Sequence, residues 1–234
     1  VADPIRATQG LPGVTGNDDF SSQFSVRGAG FRRIGFAIDG LFLPDNPVHT
    51  VYGDFNSGSI ALINADTIAA VSLYSGTFPS KYGDATAGFV NLETRDGNRI
   101  KPAGRIAASL LSSSATFDGP MPGKRGAWLV TARKSYFQYL INALIDDPQT
   151  KGEIKGFAVD FTDGQARGVY DLTPKHQIGI NVLSGFTDFD PDKSNRTFDT
   201  DEIARSRSKT SFVYTSWNYI GGPRFGAQTR FFGL

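Results

Sequence analysis

The strongest constraint on the fold is an alternation of apolar and polar residues between His176 and Phe189. An extended chain sends successive side chains to opposite faces, so a period of two is typical of a β-strand. The apolar positions are Ile178, Ile180, Val182 and Phe186, and the small or polar positions are Gln177, Gly179, Asn181, Gly185 and Thr187. The segment therefore predicts a strand with one apolar face and one polar face.

The same period recurs in neighbouring segments. Between Gln165 and Leu172, the set Gly168, Tyr170 and Leu172 alternates with Gln165, Arg167 and Asp171. Residues 128–133, 206–220 and 225–231 show weaker versions of the pattern. Two architectures fit: a soluble β-sandwich with apolar inner faces, or a membrane β-barrel with an apolar outer face and a polar lumen.

The lengths of the connections favour the barrel. Those at 118–125, 173–175 and 221–223 are short and rich in Pro or Gly, whereas those at 136–155 and 189–205 are long. Short and long connections alternate along the chain, as in an outer-membrane barrel with short turns at one end and long loops at the other. The fold class expected is mainly β.

Composition excludes several other classes. No run of about 18 apolar residues exists among the 234, so no transmembrane helix is expected. A net charge of +1 argues against nucleic-acid binding. The chain has no cysteine, which excludes disulfides, zinc-thiolate sites and a catalytic thiol. The N-terminus lacks a signal-peptide pattern, so we expect a cytosolic protein or a chain that is mature or incomplete.

The first hundred residues mix short strands and turns with a few helical turns, in contrast to the longer alternating segments that follow, and they predict a small α+β unit. Asp3 is expected to cap a short helix ending at Gly10, and Asn64 or Asp66 to cap a second one. A strand over 34–38 should enter a turn at Asp39-Gly40, and residues 43–58 read as one long irregular loop. Gly97, Pro102 and Gly104 mark a connector, which predicts two domains, 1–98 and 99–234.

Several stretches of the first domain together resemble the plug domain of TonB-dependent outer-membrane receptors. They are DPIRATQGLPGV, FSVRGAG, FAIDGL and INADTIAAVSLYSGTFPSKYGDATAGFVNLETRDGN, followed by the turn Gly119-Pro120. They occur in the family's order and cover nearly all of residues 3–98. The resemblance implies a plug followed by the first antiparallel strands of a transmembrane barrel. Such a barrel has about 22 strands, and about six are expected here, so an incomplete receptor is implied.

The resemblance also implies a topology and a function. A plug that leaves from the periplasmic side needs an outward strand first, so residues 99–117 should contain a hairpin, with its turn near Ser112-Ser114. The implied function is import of a scarce ligand across the outer membrane of a Gram-negative bacterium, gated by the plug. TonB would supply energy through an upstream segment that this chain lacks. Outer-membrane lipid is the other expected partner, and no cofactor or metal is implied.

The site residues follow from the same resemblance. The plug apices that meet the ligand correspond to residues 28–33 and 43–57, and the candidate contacts are Phe31, Arg32, Arg33, His49, Tyr52 and Phe55. The alternative for each is packing against the barrel wall. Plug-to-barrel contacts are expected at Arg27, Phe78, Tyr82 and Gly83. The usual charges are missing from residues 69–76, so no salt bridge is carried over there.

Other motifs are weak. Gly28-Ala29-Gly30 lacks the third glycine and the strand–loop–helix context of a phosphate loop. Asp188, Asp190 and Asp192 have the first spacings of a calcium loop, but that loop lacks its glycine and ends in Asp199, so a solvated acidic loop is the default. His49 and His176 stand alone, and no catalytic motif is present, so no enzyme is expected.

Two rival functions stay open on the sequence. A soluble periplasmic β-rich binding module would be released without detergent, in contrast to an integral receptor. A receptor used mainly in signalling would need an additional N-terminal domain. The ligand itself cannot be read from the scaffold.

Overall fold

A computed structural model describes residues 3–16, 22–50, 58–83, 85–136, 139, 143, 160–189 and 206–233. Within these ranges no helix combines the length and the apolar character needed to cross a membrane. Two assemblies of strands account for the described fold. We call β1–β8 the N-terminal unit and the sheet formed by β9–β15 the wall.

The N-terminal unit is built on a mixed four-stranded sheet in the order β4-β3-β8-β7. Its strands are β3 (Ile34–Ile38), β4 (Leu41–Leu43), β7 (Ile68–Tyr74) and β8 (Gly88–Thr94). Strands β3 and β8 are parallel, and every residue of β3 is buried. Two further pairs flank this sheet: β1 (Val14–Gly16) with β2 (Phe24–Val26), and β5 (Val48–Thr50) with β6 (Gly58–Ala61).

Local sequence explains the turns of this unit. Asp39 and Gly40 both have positive φ, +52° and +77°, so they form the tight reversal between β3 and β4 that the sequence predicts. The Asn64 side chain accepts a hydrogen bond from Asp66 N and caps a 3₁₀ turn, Ala65–Thr67. The Asp3 carboxylate accepts hydrogen bonds from Ile5 N and Arg6 N ahead of a 3₁₀ turn, Arg6–Gly10, where a short helix was expected.

The wall is a seven-stranded antiparallel sheet in which each strand pairs with its neighbour along the chain. The strands are β9 (Ala103–Ala108), β10 (Ser112–Pro120), β11 (Gly126–Ser135), β12 (Asp160–Thr173), β13 (His176–Phe189), β14 (Ser206–Gly222) and β15 (Phe225–Gly233). The short connections after β10, β12 and β14 lie at one end of the sheet, as predicted from the sequence. We call it the short-turn end.

The two faces of the wall confirm the predicted alternation. On β13 the outward Ile178, Ile180 and Phe186 are 41–48% exposed, whereas the inward Asn181 and Thr187 are 0% and 3% exposed. The inward face is buried because the N-terminal unit packs against it. Leu183, Phe212 and Tyr214 of the wall belong to one hydrophobic core cluster with side chains of β3 and β8. These include Phe36, Ile38, Val90 and Leu92.

Three expectations from the sequence need correction. The predicted hairpin over 99–117 exists as β9 and β10, but it turns at Ser109, Leu110 and Leu111, because Ser112–Ser114 already pair with β11. The described wall has seven strands where about six were expected. Residues 43–58 are not irregular throughout, since β5 and the first residue of β6 pair across this span.

Candidate functional site

The interface between the N-terminal unit and the wall is centred on a buried ion pair. Arg133 of β11 donates from Nε to Asp163 Oδ2 of β12 at 2.8 Å, and its Nη2 lies 2.7 Å from the same oxygen. The two side chains are 2% and 1% exposed. The guanidinium also lies 5.1 Å from the centre of the Phe161 ring. A buried pair of this kind needs partners for its remaining polar atoms. The N-terminal unit supplies two partners, while Arg133 Nη1 is buried without a hydrogen-bond partner among the described residues.

His49 of β5 is the first of these partners. Its Nε2 lies 2.9 Å from Asp163 Oδ2, and its Nδ1 lies 2.8 Å from Thr187 Oγ1 on β13. Because a carboxylate only accepts, we assign the ring proton to Nε2, with Nδ1 accepting from the threonine hydroxyl. Burial lowers the pKa of His49 below its usual 6.5, although Asp163 acts in the opposite direction. His49 is therefore a neutral hydrogen-bond donor to the carboxylate.

Ala61 at the end of β6 is the second partner. Its carbonyl accepts a hydrogen bond from Arg133 Nη2, and its N–H donates to Asp3 Oδ2 at 2.9 Å. The two peptide groups that flank Ala61 thus connect Asp3, at the start of the described chain, with Arg133 of the wall. We call Arg133, Asp163, His49, Thr187 and Ala61 the Asp163 anchor.

A smaller polar contact lies beside this anchor. Asn64 Nδ2 donates to Thr131 Oγ1 at 3.1 Å, and Thr131 shares a 2.8 Å hydrogen bond with Thr116 on β10. All three residues are buried. Asn64 therefore has two structural tasks, since its Oδ1 caps the following turn while its Nδ2 holds the wall.

A second group of contacts lies nearer the short-turn end. Asp39, at the tip of the β3–β4 hairpin, accepts hydrogen bonds through Oδ2 from Thr94 Oγ1 at 2.6 Å, from Arg167 Nη1 at 3.3 Å and from the Tyr214 hydroxyl. Its Oδ1 accepts from Thr94 N at 2.8 Å, and its carbonyl accepts from Arg230 Nη1. These five residues form the Asp39 anchor, which joins the hairpin tip to β12, β14 and β15.

The segment that links β8 to β9 is also fixed to the wall. Arg95 Nη1 lies 2.6 Å from Asp118 Oδ2, which also accepts from Asn98 N at 3.1 Å, and Arg99 pairs with Asp171. A Cβ at Gly97 would lie 2.0 Å from the Trp128 carbonyl oxygen, so only glycine allows the chain this close to β11.

The structure distributes the predicted ligand contacts over different environments. Phe31 is 5% exposed and lies between Phe24 and Phe36, with ring centres 5.5 Å from each. Arg32 and Arg33 are exposed beside it. His49 is 2% exposed within the Asp163 anchor. Tyr52 and Phe55 lie outside the described residues, as do Asp190, Asp192 and Asp199 of the proposed calcium loop. The ligand-contact assignments stay predictions.

The predicted plug-to-barrel contacts are also spread out. Tyr82 is 5% exposed and stacks on Phe89 at 3.9 Å, with Phe78 6.0 Å from the same ring. Arg27 has a left-handed backbone, with φ +50°, and its guanidinium lies against Gly76. Gly83 is exposed, with open space where a Cβ would project. These assignments too stay predictions.

Sequence reasoning missed the residues that dominate the interface: Asp39, Arg133, Asp163, Arg167 and Tyr214. A signal for three of them was present, because Arg133, Asp163 and Arg167 are charged residues at inward positions of strands that alternate. Asp39 was read only as a turn residue. Among the described residues no cluster of three or more His, Cys, Asp or Glu side chains could hold a metal ion.

Comparison with known families identifies the N-terminal unit. Residues 1–90 match the model of the TonB-dependent Receptor Plug Domain. The chain contains a TonB-dependent receptor plug. The resemblance drawn from the sequence is confirmed, and the wall beside the plug corresponds to barrel strands of this family. No curated protein matches the sequence.

Solved structures support the same fold. The ferric citrate transporter FecA in its unliganded form gives a TM-score of 0.65 at 15% identity, over 99% of this chain and 37% of that one. The FrpB iron transporter from Neisseria meningitidis gives 0.61 at 13% identity, over 99% and 36%. A ferric enterobactin receptor from Pseudomonas aeruginosa gives 0.60 at 14% identity, over 97% and 38%. The chain thus spans less than two fifths of each of these relatives.

Proposed function

We propose that the receptor carrying this chain imports a scarce ligand across the outer membrane of a Gram-negative bacterium, with the plug as its gate and TonB as its source of energy. The observation that carries the proposal is the plug match together with the packing of that plug against the inward face of the wall. In this proposal residues 1–98 are the plug and residues 99–234 belong to the barrel. Catalysis has no part in it.

The outward face of the wall supports a membrane location. Its exposed apolar side chains include Ile178, Ile180 and Phe186. Near the short-turn end, Trp217 lies against His176 and Tyr219, with ring centres 5.7 Å and 6.3 Å away. An apolar band bordered by aromatic side chains is typical of barrels in the outer membrane. A soluble periplasmic binding module, the main rival, would have to cover this face.

The first experiment tests location and transport together. Membranes from cells that express the full-length receptor are extracted with salt and then with detergent, and uptake of radioactive iron is measured with ferric citrate and ferric enterobactin as probes. We choose iron chelates because the three relatives above are named for iron. We expect extraction only by detergent, and uptake that is lost when TonB is deleted. Release by salt, or uptake unchanged without TonB, would overturn the proposal.

A second experiment tests the ligand contacts. Arg32 and Arg33 are exposed basic residues on the same turn as Phe31. If they contact an anionic chelate, replacing both with Gln should raise the KM for uptake at least about tenfold, because each charge-assisted hydrogen bond that is lost is worth on the order of 1.5–3 kcal/mol. The matched control is Arg207→Gln, an exposed arginine 3.5 Å from Asp188 on the wall. Equal effects of both changes would contradict the assignment.

A further inference from the structure

The outward face of the wall has an apolar groove near the short-turn end. The groove has a volume of about 420 Å³ and crosses strands β12 to β15. Gly168 lies within it and pairs with the exposed Ile180, and a Cβ at this glycine would lie 3.0 Å from Met121 Cε. The missing side chain leaves room among large, mostly apolar neighbours. These are Met121, Tyr170, Ile178, Ile180, Trp217 and Phe231.

The three short turns beside the groove lie next to one another. Asp171 N donates to the Arg125 carbonyl at 2.6 Å, which joins the β10–β11 turn to the end of β12. Ile220 N donates to the Lys175 carbonyl at 2.9 Å, which joins the β12–β13 turn to the end of β14. Neighbouring strands are about 4.8 Å apart, so successive turns are roughly 10 Å apart. The turns therefore form one continuous edge.

This edge, which we call the basic edge, has an excess of positive charge. None of the three connections, 121–125, 173–175 and 221–224, contains Asp or Glu. Asp118 and Asp171, near the same ends of β10 and β12, already pair with arginines of the segment that links β8 to β9. The cations of the edge are all exposed, and they are Lys124, Arg125, Lys175 and Arg224.

The groove and the basic edge are continuous. Arg125 donates from Nη2 to the Leu172 carbonyl, and its guanidinium lies 5.7 Å from the centre of the Tyr170 ring, which lines the groove. Met121 lines the groove from the same turn that contains Lys124. A molecule that lies in the groove therefore reaches cations at its short-turn end.

We propose that the groove and the basic edge together bind one anionic phospholipid, with an acyl chain in the groove and the phosphate group at Lys124 and Lys175. The inference rests on the proposed function, in which this face lies in a membrane and the short turns face the periplasm. Charge complementarity selects the occupant, because an acyl chain matches the apolar side chains and a phosphate without an ammonium group matches four cations. The lipid belongs to the inner leaflet of the outer membrane.

Two variants of the full-length receptor separate the two halves of the site. Gly168→Leu fills the groove and keeps the outward face apolar, and Lys124→Gln/Lys175→Gln removes two charges from the basic edge. Each has a matched control outside the site. Ala132→Leu adds the same side chain at an exposed position of β11, and Lys134→Gln/Lys209→Gln removes two exposed lysines at the other end of the wall.

The readout is native mass spectrometry of the purified receptor in detergent, titrated with phosphatidylglycerol or with phosphatidylcholine of the same acyl chains. We expect one saturable phosphatidylglycerol per receptor, bound more tightly than phosphatidylcholine. Gly168→Leu should weaken both lipids about tenfold, the equivalent of two buried CH₂ groups. The change of Lys124 and Lys175 should weaken phosphatidylglycerol alone, about fivefold for each lysine. Both controls should bind like the wild type.

The inference is overturned if the wild type binds both lipids equally, or if Gly168→Leu binds phosphatidylglycerol like the wild type. It is also overturned if the control lysines matter as much as Lys124 and Lys175. Receptor dimers that disappear in Gly168→Leu would overturn it too, since they would assign the groove to a second copy. Melting temperatures show which variants fold, and if Gly168→Leu does not, the lysine variant and its control decide.

Failure of the transport proposal is distinguishable, because lipid binding needs neither TonB nor an iron chelate. A receptor without TonB-dependent uptake that still prefers phosphatidylglycerol would keep the lipid site and lose the importer. A receptor with TonB-dependent uptake that binds both lipids equally would keep the importer and lose the lipid site.

Discussion

Replacing Arg133 with methionine should loosen the hold of the wall on the β5–β6 hairpin of the plug. The change leaves Asp163, whose side chain is 1% exposed, with His49 as its remaining partner in the anchor. A neutral imidazole cannot balance a buried carboxylate, and breaking a buried pair by removing one partner costs about 3–5 kcal/mol. Ala61 also loses the donor to its carbonyl.

The assay is amide hydrogen exchange of the full-length receptor in detergent, followed at Ala61 and Leu62. Opening of the hairpin sets the exchange rate of these amides. A loss of about 3 kcal/mol raises that rate by roughly 100-fold, since 1.4 kcal/mol corresponds to a factor of ten. As a control, Arg105→Met removes an arginine that pairs with Asp66 at 2.9 Å but is 70% exposed. It should cost less than about 1 kcal/mol.

The double variant Arg133→Met/Asp163→Leu completes the test. Replacing a buried ion pair with apolar side chains of similar size is often close to neutral, so the double variant should exchange more slowly than Arg133→Met alone. The reasoning is refuted if the single variant exchanges within about fivefold of the wild type, which is about 1 kcal/mol. It is also refuted if the double variant exchanges faster than the single one.

Three further predictions use the same protein. Because burial lowers the pKa of His49, the folded state resists protonation while the unfolded state takes up a proton below about pH 6.5. Exchange at the β6 amides, corrected for intrinsic rate, should therefore rise as the pH falls below that value, and His49→Gln should remove this dependence; a flat wild-type profile would contradict it. A Cβ at Gly185 would lie 2.0 Å from Leu62 Cδ1, so Gly185→Ala should lower the melting temperature of the plug, and Leu62→Ala in the same background should recover part of the loss. Gly97→Ala would collide with the Trp128 carbonyl and should break the Arg95–Asp118 pairing beside it, measured as faster exchange at residue 98; unchanged exchange would show that the link can shift at no cost.

The features that sequence reasoning predicted are those fixed by neighbouring residues. The faces of β13 follow from strict alternation, and the Asp39-Gly40 reversal follows from two residues that tolerate positive φ. The Asn64 cap needs one side chain and the N–H of Asp66, two residues away. The hairpin turn lies at 109–111, whereas the sequence predicted it near Ser112–Ser114, because serines are common in turns. In this chain Ser112 and Ser114 pair with β11, and the exposed Leu110 occupies the turn.

The anchors could not be predicted because they join distant parts of the chain. Asp39 is 128 residues from Arg167 and 175 from Tyr214, and His49 is 114 from Asp163. Nothing in the local pattern of IDG or VHT indicates a partner on a strand so far away. The predicted plug-to-barrel charge, Arg27, was taken from the resemblance. The described ion pairs between plug and wall lie elsewhere, and they are Asp39–Arg167, Asp96–Arg167, Arg95–Asp118 and Asp66–Arg105.

Ala61 gives the interface a mechanical property. Its N–H is held by Asp3 and its carbonyl by Arg133, so the start of the described chain and the wall are connected in series through one residue without a long side chain. In a series connection every link bears the full load, and the weakest one yields first. The link from Asp3 to Ala61 is a single hydrogen bond, whereas β6 is held to the wall by the Arg133–Ala61 hydrogen bond and, through its pairing with β5, by the two hydrogen bonds of His49. A pull on Asp3 should therefore detach the N-terminal segment and leave β6 attached to the wall.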